Sequence, residues 1–160
     1  FGAAIDIVNK SESGGEPIGD LIVKGRGGLS GSGGNKIDGD IVANIIDEVP
    51  ILAVFGTQVE GGIEIRDAGE LRVKESDRIA AVAENLRRMR ADVEEFEDGL
   101  RVGRSQLKGA AIDSFGDHRI AMAFAVAGLF AEGETEIRGA ECAAVSFPAF
   151  FDVLSSVTNG

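Results

Sequence analysis

The sequence predicts a layered α/β or α+β chain in which helices cover mixed sheet and one structural unit occurs twice. Three observations predict it. EGGIEIRDA at 60–68 returns as EGETEIRGA at 132–140, 72 residues later, and GRGGLSG at 25–31 returns as GRSQLKG at 103–109, 78 residues later. Two ordered pairs at nearly one spacing mark a repeat, the difference being a small indel. Apolar residues alternate between helical and strand periodicity, and turn signals interrupt them at hairpin spacing rather than in long linkers. That alternation is what layers of helix on sheet require. With 160 residues, 44% of them apolar, the chain is long enough for one real core.

Taken in order, FGAAIDI at 1–7 aligns with MRADVEE at 89–95, where the helix of the second unit ends. The first unit is therefore expected to lack its leading helix. Residues 9–19, NKSESGGEPIG, read as a polar, turn-rich connection inside the first hairpin, and 25–40 as a second loop rich in Gly, Ser and Asn. IIDEVPILAV at 45–54 opens a helix with Pro50 inside its first turn, where the missing N–H is no loss. Ile79, Val82, Leu86, Met89 and Val93 recur at helical spacing, with Glu84, Arg87 and Arg88 on the other side. They predict an amphipathic helix over 77–90. DVEEF and LRV flank Asp98 and Gly99 as a hairpin. Residues 118–131 are apolar almost all round, the mark of a buried helix. TEIR at 135–138 is a short strand, and SFPAFFDVLSSV at 146–157 a last helix with Pro148 near its first turn. One unit is thus helix, two strands, helix and strand, and the repeat units are about 1–74 and 75–160.

The net charge is -11. So acidic a surface repels nucleic acid and anionic lipid, so neither nucleic acid nor membrane is an expected partner, and an anion must be met by a local cationic pocket. The single Cys142 excludes an internal disulfide, and with one histidine no Cys/His cluster has metal-site spacing. A reducing cytoplasm and no metal are expected. No basic-then-apolar leader opens the sequence, and the longest apolar run, 120–131, is too short to span a bilayer. The chain reads as a soluble piece of a longer protein.

Against that background RVKESDR, residues 72–78, sets three cations beside two carboxylates. If the helix starts near Glu75, Lys74 and Arg78 stand four apart on one side of its first turn. There they would add two cations to the free N–H groups and the positive dipole end, making an anion site. The other reading is a solvated, mutually paired helix start, each exposed pair contributing about 0–1 kcal/mol. A second cluster, Asp117, His118 and Arg119, stands at the entrance of the buried helix, so its charges lie at a seam. Asp117 reads there as an N-cap and His118 as a hydrogen-bonded structural residue, which leaves Arg119 unexplained. Asp47 and Glu48 occupy the related helix entrance of the first unit.

RVKESDRIAAVAENL, GDHRIAMAFAVAGL, IDEVPILAV and SFPAFFDVL together resemble the C-terminal part of the 5-enolpyruvylshikimate-3-phosphate synthase family, in the family's order and over essentially the whole chain. The resemblance implies a protein of more than twice this length with two similar domains, each of three βαβαββ units. Residues 1–160 would be the C-terminal part of one enolpyruvyl transferase domain. It implies transfer of the enolpyruvyl group of phosphoenolpyruvate to the 5-hydroxyl of shikimate 3-phosphate, with release of phosphate through a tetrahedral intermediate. This is a shikimate-pathway step toward aromatic amino acids, inhibited by glyphosate, and it needs no metal or organic cofactor.

Carried over by position, the resemblance puts Lys74 and Glu75 at the reacting centre, Glu75 as a proton-transfer group. It puts Arg78 and Arg119 on phosphoenolpyruvate, Asp47 on the shikimate ring hydroxyls and their proton, and His118 in the same pocket. The implied partners are the two small substrates and the N-terminal domain of the same protein. Alone, the fragment is expected to be inactive and open to self-association. Two positions depart from the family pattern. Val145 precedes SFP where several members have lysine, and Glu70 stands where some have asparagine. The related UDP-N-acetylglucosamine enolpyruvyl transferase shares the architecture and stays as an alternative, as does a non-catalytic repeat scaffold with surface charges.

Overall fold

The computed structural model describes residues 3–24, 29–30 and 35–158. Most of GRGGLSG, and Phe1 with the unit boundary it marked, lie outside them. β1 (Ala4–Ser13) and β2 (Glu16–Lys24) form an antiparallel hairpin. Gly14 and Gly15, at φ 63° and 87°, supply the left-handed turn that matches strand twist. The expectation that 9–19 is a connection is thus corrected: only the two glycines turn, and Ser11, Glu12, Ser13 and Glu16 occupy paired strand positions. A shift of register between Val8 and Ser11 takes up Asn9, at φ 50°. Backbone pairing needs no apolar side chain on an exposed ribbon, so polarity misled.

The 25–40 segment also differs from a loop where it is described. β3 (Leu29–Ser30) pairs in parallel with β5 (Val59–Glu60), and β4 (Lys36–Ile37) with β6 (Ile63–Ile65). Between them run α1 (Asp40–Asn44), a 3₁₀ turn Ile46–Glu48 and α2 (Val49–Gly56), with Pro50 at the start of α2. A 3₁₀ stretch Gly69–Val73 leads to α3 (Arg78–Arg88), β7 (Val93–Phe96) and β8 (Gly99–Val102). These strands complete a four-stranded mixed sheet of order β4-β6-β8-β7. α3 ends sooner than the apolar stripe suggested, because Arg90 at φ 66° breaks it and Val93 opens β7 instead. β9 (Ala111–Asp113), a strand absent from the expectations, then pairs in parallel with β10 (Glu136–Arg138) across α4 (His118–Gly128). A 3₁₀ stretch Ala140–Val145 precedes α5 (Phe150–Thr158), and Pro148 lies two residues ahead of the helix, near its first turn as expected.

The core lies between helices and sheet. Ile79, Val82 and Leu86 on α3, with Met89 just after it, are fully buried, each contributing roughly 1.5–3 kcal/mol by leaving water. α2, α3 and α4 pack on one another; α2 and α3 also touch the four-stranded sheet, and α3 and α4 touch β9 and β10 respectively. The four-stranded sheet approaches itself closely at Gly62, whose φ is 71° and where a Cβ would stand 2.0 Å from the Val102 carbonyl oxygen. Among the described residues no helix is long and apolar enough to cross a membrane. Phe124, at the centre of α4, is fully buried in this core. Phe124→Ala should lower unfolding stability by about 3–5 kcal/mol through lost burial and a cavity, and Gly62→Ala by roughly 3 kcal/mol through strain at a fixed backbone contact; denaturant titrations check both.

Candidate active site

Because α2, α3 and α4 pack together, their entrances are neighbours, and all three entrances are charged. Asp47 and Glu48 precede α2, Glu75 to Arg78 lead into α3, and Asp117 to Arg119 open α4. α3 does not begin near Glu75. Lys74 is extended, and Asp77 is the N-cap, its Oδ1 accepting from the Ala80 N–H at 3.0 Å. A short carboxylate side chain makes the better cap, which is why the start falls after Asp77. The expectation that Lys74 and Arg78 share a first turn is therefore corrected. Lys74 lies outside the helix and pairs with Glu70, and the free N–H groups of that end are partly taken by Asp77. Arg72 fixes the cap in place, its Nη1 donating to both Asp77 oxygens at 3.1 and 2.8 Å.

Arg78 points inward and is only 2% exposed. Its Nε donates to Asp117 Oδ2 at 2.7 Å, its Nη1 to Asp47 Oδ1 at 2.8 Å and its Nη2 to Glu75 Oε2 at 2.5 Å. Asp117, fully buried, also accepts from Ser76 Oγ at 3.1 Å and from the Arg119 N–H at 2.9 Å. It is the N-cap the sequence suggested, and it is the buried counter-ion of Arg78 as well. Burial pushes the Arg78 pKa down, but the bond and charge of Asp117, with Asp47 and Glu75, more than reverse this. Burial likewise pushes the Asp117 carboxyl up, and the Arg78 guanidinium, the Arg119 N–H and Ser76 together hold it below the ordinary carboxylate range.

Arg119 closes the set. Its Nη1 donates to Glu48 Oε1 at 2.9 Å and to the Asp47 carbonyl at 3.3 Å, and its Nη2 to Asp47 Oδ2 at 3.3 Å. Asp47 therefore bridges both arginines. Of the six residues singled out from the sequence, Asp47, Glu75, Arg78 and Arg119 form one hydrogen-bonded group. Lys74 stands beside it, its pKa raised by its bond to Glu70 and by nearby Asp47. His118 opens α4, half-buried, its imidazole bonded to no described residue.

Sequence reasoning passed over Ser76 and Asn85. Asn85 is fully buried on α3, where its Nδ2 donates to the Asp113 carbonyl at 2.8 Å and its Oδ1 accepts the Asp113 N–H at 3.2 Å. It ties α3 to the end of β9, four residues before Asp117. An amide beside the apolar stripe of an amphipathic helix was the available signal.

Asp47 and Arg119 also form one wall of a cleft of about 200 Å³, otherwise lined mainly by apolar residues such as Ile51, Met122 and Phe150. Glu75 and Arg78 lie outside its walls, so the cleft extends the charged group rather than containing it. Val145 is exposed at the end of its 3₁₀ stretch, next to Phe147, which also lines the cleft. Among the described residues no three His, Cys, Asp or Glu side chains are disposed to hold a metal ion. Chemically, the site offers the partly exposed Arg119 guanidinium and Lys74 ammonium to an anion, the Arg78 guanidinium being enclosed by carboxylates rather than open to it, with two half-exposed carboxylates in reach for proton transfer.

Removing the Asp117 charge should cost about 3 kcal/mol, because Arg78 stays buried with only its solvent-facing partners. The folded Asp117 pKa lies below the unfolded value near about 3.9, so its contribution is complete above that value and lost as pH falls through the lowered folded pKa. Thermal melts across that range should show a steeper acid loss in the parent protein than in Asp117→Asn.

Comparison with known proteins adds a family likeness over nearly all of this. The family model described as EPSP synthase (3-phosphoshikimate 1-carboxyvinyltransferase) matches residues 11–154. A Koribacter versatilis protein named 3-phosphoshikimate 1-carboxyvinyltransferase is 57% identical over 160 residues, covering 99% of this chain and 36% of its own length. One of the same name from Pelotomaculum thermopropionicum is 55% identical over 158 residues, covering 98% of this chain and 36% of its own. A solved structure of EPSP synthase from Acinetobacter baumannii superposes with a TM-score of 0.88 at 38% identity, over 97% of this chain and 36% of that one. The chain thus spans little more than a third of the length of the relatives it matches.

Proposed function

The chain belongs to the EPSP synthase family, and from that premise we propose that the longer protein carrying it transfers the enolpyruvyl group of phosphoenolpyruvate to the 5-hydroxyl of shikimate 3-phosphate. The observation that supports this most is the meeting of Asp47, Glu75, Arg78 and Arg119 in one bonded group, although Asp47 and Arg119 are 72 residues apart. In the addition step the 5-hydroxyl oxygen bonds to C2 of phosphoenolpyruvate, its proton leaves and another proton reaches the C3 methylene, giving the tetrahedral intermediate. Elimination breaks the C2–O bond to phosphate and removes a proton from C3, so the double bond returns and inorganic phosphate departs.

Glu75 carries the proton to and from C3, with Lys74 beside it at the reacting centre. Asp47 holds the ring hydroxyls and takes the 5-hydroxyl proton. Arg78 and Arg119 bind the anionic groups of phosphoenolpyruvate, and His118 lines the same pocket. Such cations stabilise charge only when held in place before the reaction, and the buried Asp117 supports that role for Arg78. No metal or organic cofactor takes part. The pathway is aromatic amino-acid biosynthesis in the cytoplasm, with glyphosate as an inhibitor.

The division into units of about 1–74 and 75–160 draws support from parallel pairing on either side of a helix, β4 with β6 and β9 with β10. The missing N-terminal domain would supply the remaining substrate contacts and cover apolar surface. Ile5 opposite Val23 and Ile7 opposite Leu21 make one exposed apolar face of the first hairpin, which supports self-association of the chain alone.

In the full-length protein Glu75→Gln should lower kcat by about two to four orders of magnitude. Arg119→Ala should raise the KM for phosphoenolpyruvate by roughly tenfold or more, for a lost charge-assisted bond of about 1.5–3 kcal/mol. Steady-state phosphate release measures both. Near-parental turnover in Glu75→Gln removes its proposed role, and release with UDP-N-acetylglucosamine in place of shikimate 3-phosphate assigns the related transferase instead. The isolated 160-residue chain should show no turnover and should sediment with concentration-dependent mass; activity, or a monomer at every concentration, contradicts the fragment reading.

A further inference from the structure

The charge balance of the site has the wrong sign for binding anions. Five carboxylates, Asp47, Glu48, Glu70, Glu75 and Asp117, face three strong cations, Lys74, Arg78 and Arg119. The proposed chemistry employs Asp47 and Glu75, and Asp117 is a buried partner. Glu48 and Glu70 remain without a task, yet each is bonded to a cation that the chemistry assigns to a substrate or to the reacting centre.

We propose that Glu48 and Glu70 are internal counter-ions of Arg119 and Lys74 that the anionic groups of the substrate displace. The inference rests on the enolpyruvyl-transfer reading for the identity of the anion. In each pair the carboxylate is the more exposed partner, Glu48 at 56% against 29% for Arg119, and Glu70 at 63% against 27% for Lys74. Arg119 is also anchored by Asp47, through a carbonyl and a carboxylate oxygen, and it sits in the first turn of α4. Glu48 has one bond to the guanidinium. When an anion arrives, the carboxylate is therefore the group that swings into water, and the cation stays where it is needed.

The consequence is a higher threshold for any anion that enters. An exposed ion pair contributes little, and its replacement costs an incoming ligand up to about fivefold in affinity. A ligand with several well-placed anionic groups recovers that from its other contacts, whereas a small anion held by these two cations alone does not. Glu48 and Glu70 thus lower the occupancy of the site by stray inorganic phosphate, while the substrate, with contacts to spare, still binds. They act through the cations they hold, so they tune anion binding and are not catalytic residues.

The test uses Glu48→Gln, Glu70→Gln and the double variant of the full-length protein, each confirmed folded by its melting temperature. Equilibrium binding of inorganic phosphate should tighten by about two- to fivefold in each single variant, and further in the double variant. The KM for phosphoenolpyruvate should fall by a comparable factor, since the same displacement cost is removed. Unchanged or weaker phosphate binding in folded variants overturns the proposal, even if Glu75→Gln behaves as expected and the transfer reading stands. Tighter phosphate binding in a protein that transfers no enolpyruvyl group retains the counter-ion role and removes the reading on which the substrate's identity rests.

Discussion

The arrangement of this chain around its charged site depends on one buried ion pair, Arg78 with Asp117. A guanidinium that is 2% exposed and a carboxylate fully out of water are tolerable only if nearly every donor finds an acceptor. Asp117 takes the inner edge of the guanidinium, and Asp47 and Glu75 take the outer one. Meeting that demand brings together the entrances of three helices from distant parts of the chain. Removing Asp117 would leave charge in a place with little water to replace it. The pair therefore links the packing of the helices to the positions of Asp47, Glu75 and Arg119 around them.

The same pair decides how the helix ends are used. Asp77 and Asp117 accept N–H bonds at the starts of α3 and α4, so these ends serve internal carboxylates. Attraction for an external anion then falls to the side-chain cations, each with a carboxylate at hand. Support comes from farther out: Arg72 holds Asp77, and Asn85 holds the strand that leads into Asp117. A site built this way is rigid at its buried side and exchangeable at its exposed side. Displacement by a ligand needs that combination, since only groups already in contact with water can be released into it at small cost.

The helices were legible because their signals are periodic and strong. α3 and α4 appear within a few residues of the stretches marked by their apolar patterns, and the β7–β8 hairpin appears where expected, though it turns at Glu97 and Asp98, with Gly99 already paired to Phe96 in β8. The short parallel strands were not legible. β3 and β4 have two described residues each and β9 has three, too few for alternation to register, and their partners lie 25 or more residues away. The polar strands of the first hairpin failed for the opposite reason, since an exposed ribbon need not alternate at all. Asp117 was recognised as a cap because caps are local. Its bond to Arg78, across 39 positions, was not.

By itself the sequence determined the layered class, the main helices, the absence of a disulfide framework within the chain and the residue types of the site, because all of these follow from local spacing and composition. Its motifs also carried the family resemblance. Only the tertiary structure decided which cation is buried and which is free. Lys74 and Arg78, four apart in one motif, part ways because α3 starts after Asp77, which turns Arg78 into the core and leaves Lys74 outside with Glu70. That outcome depends on where a helix begins and on what lies across from it. Neither is a property of seven consecutive residues, for the partner that settles the matter is a carboxylate brought in by another helix.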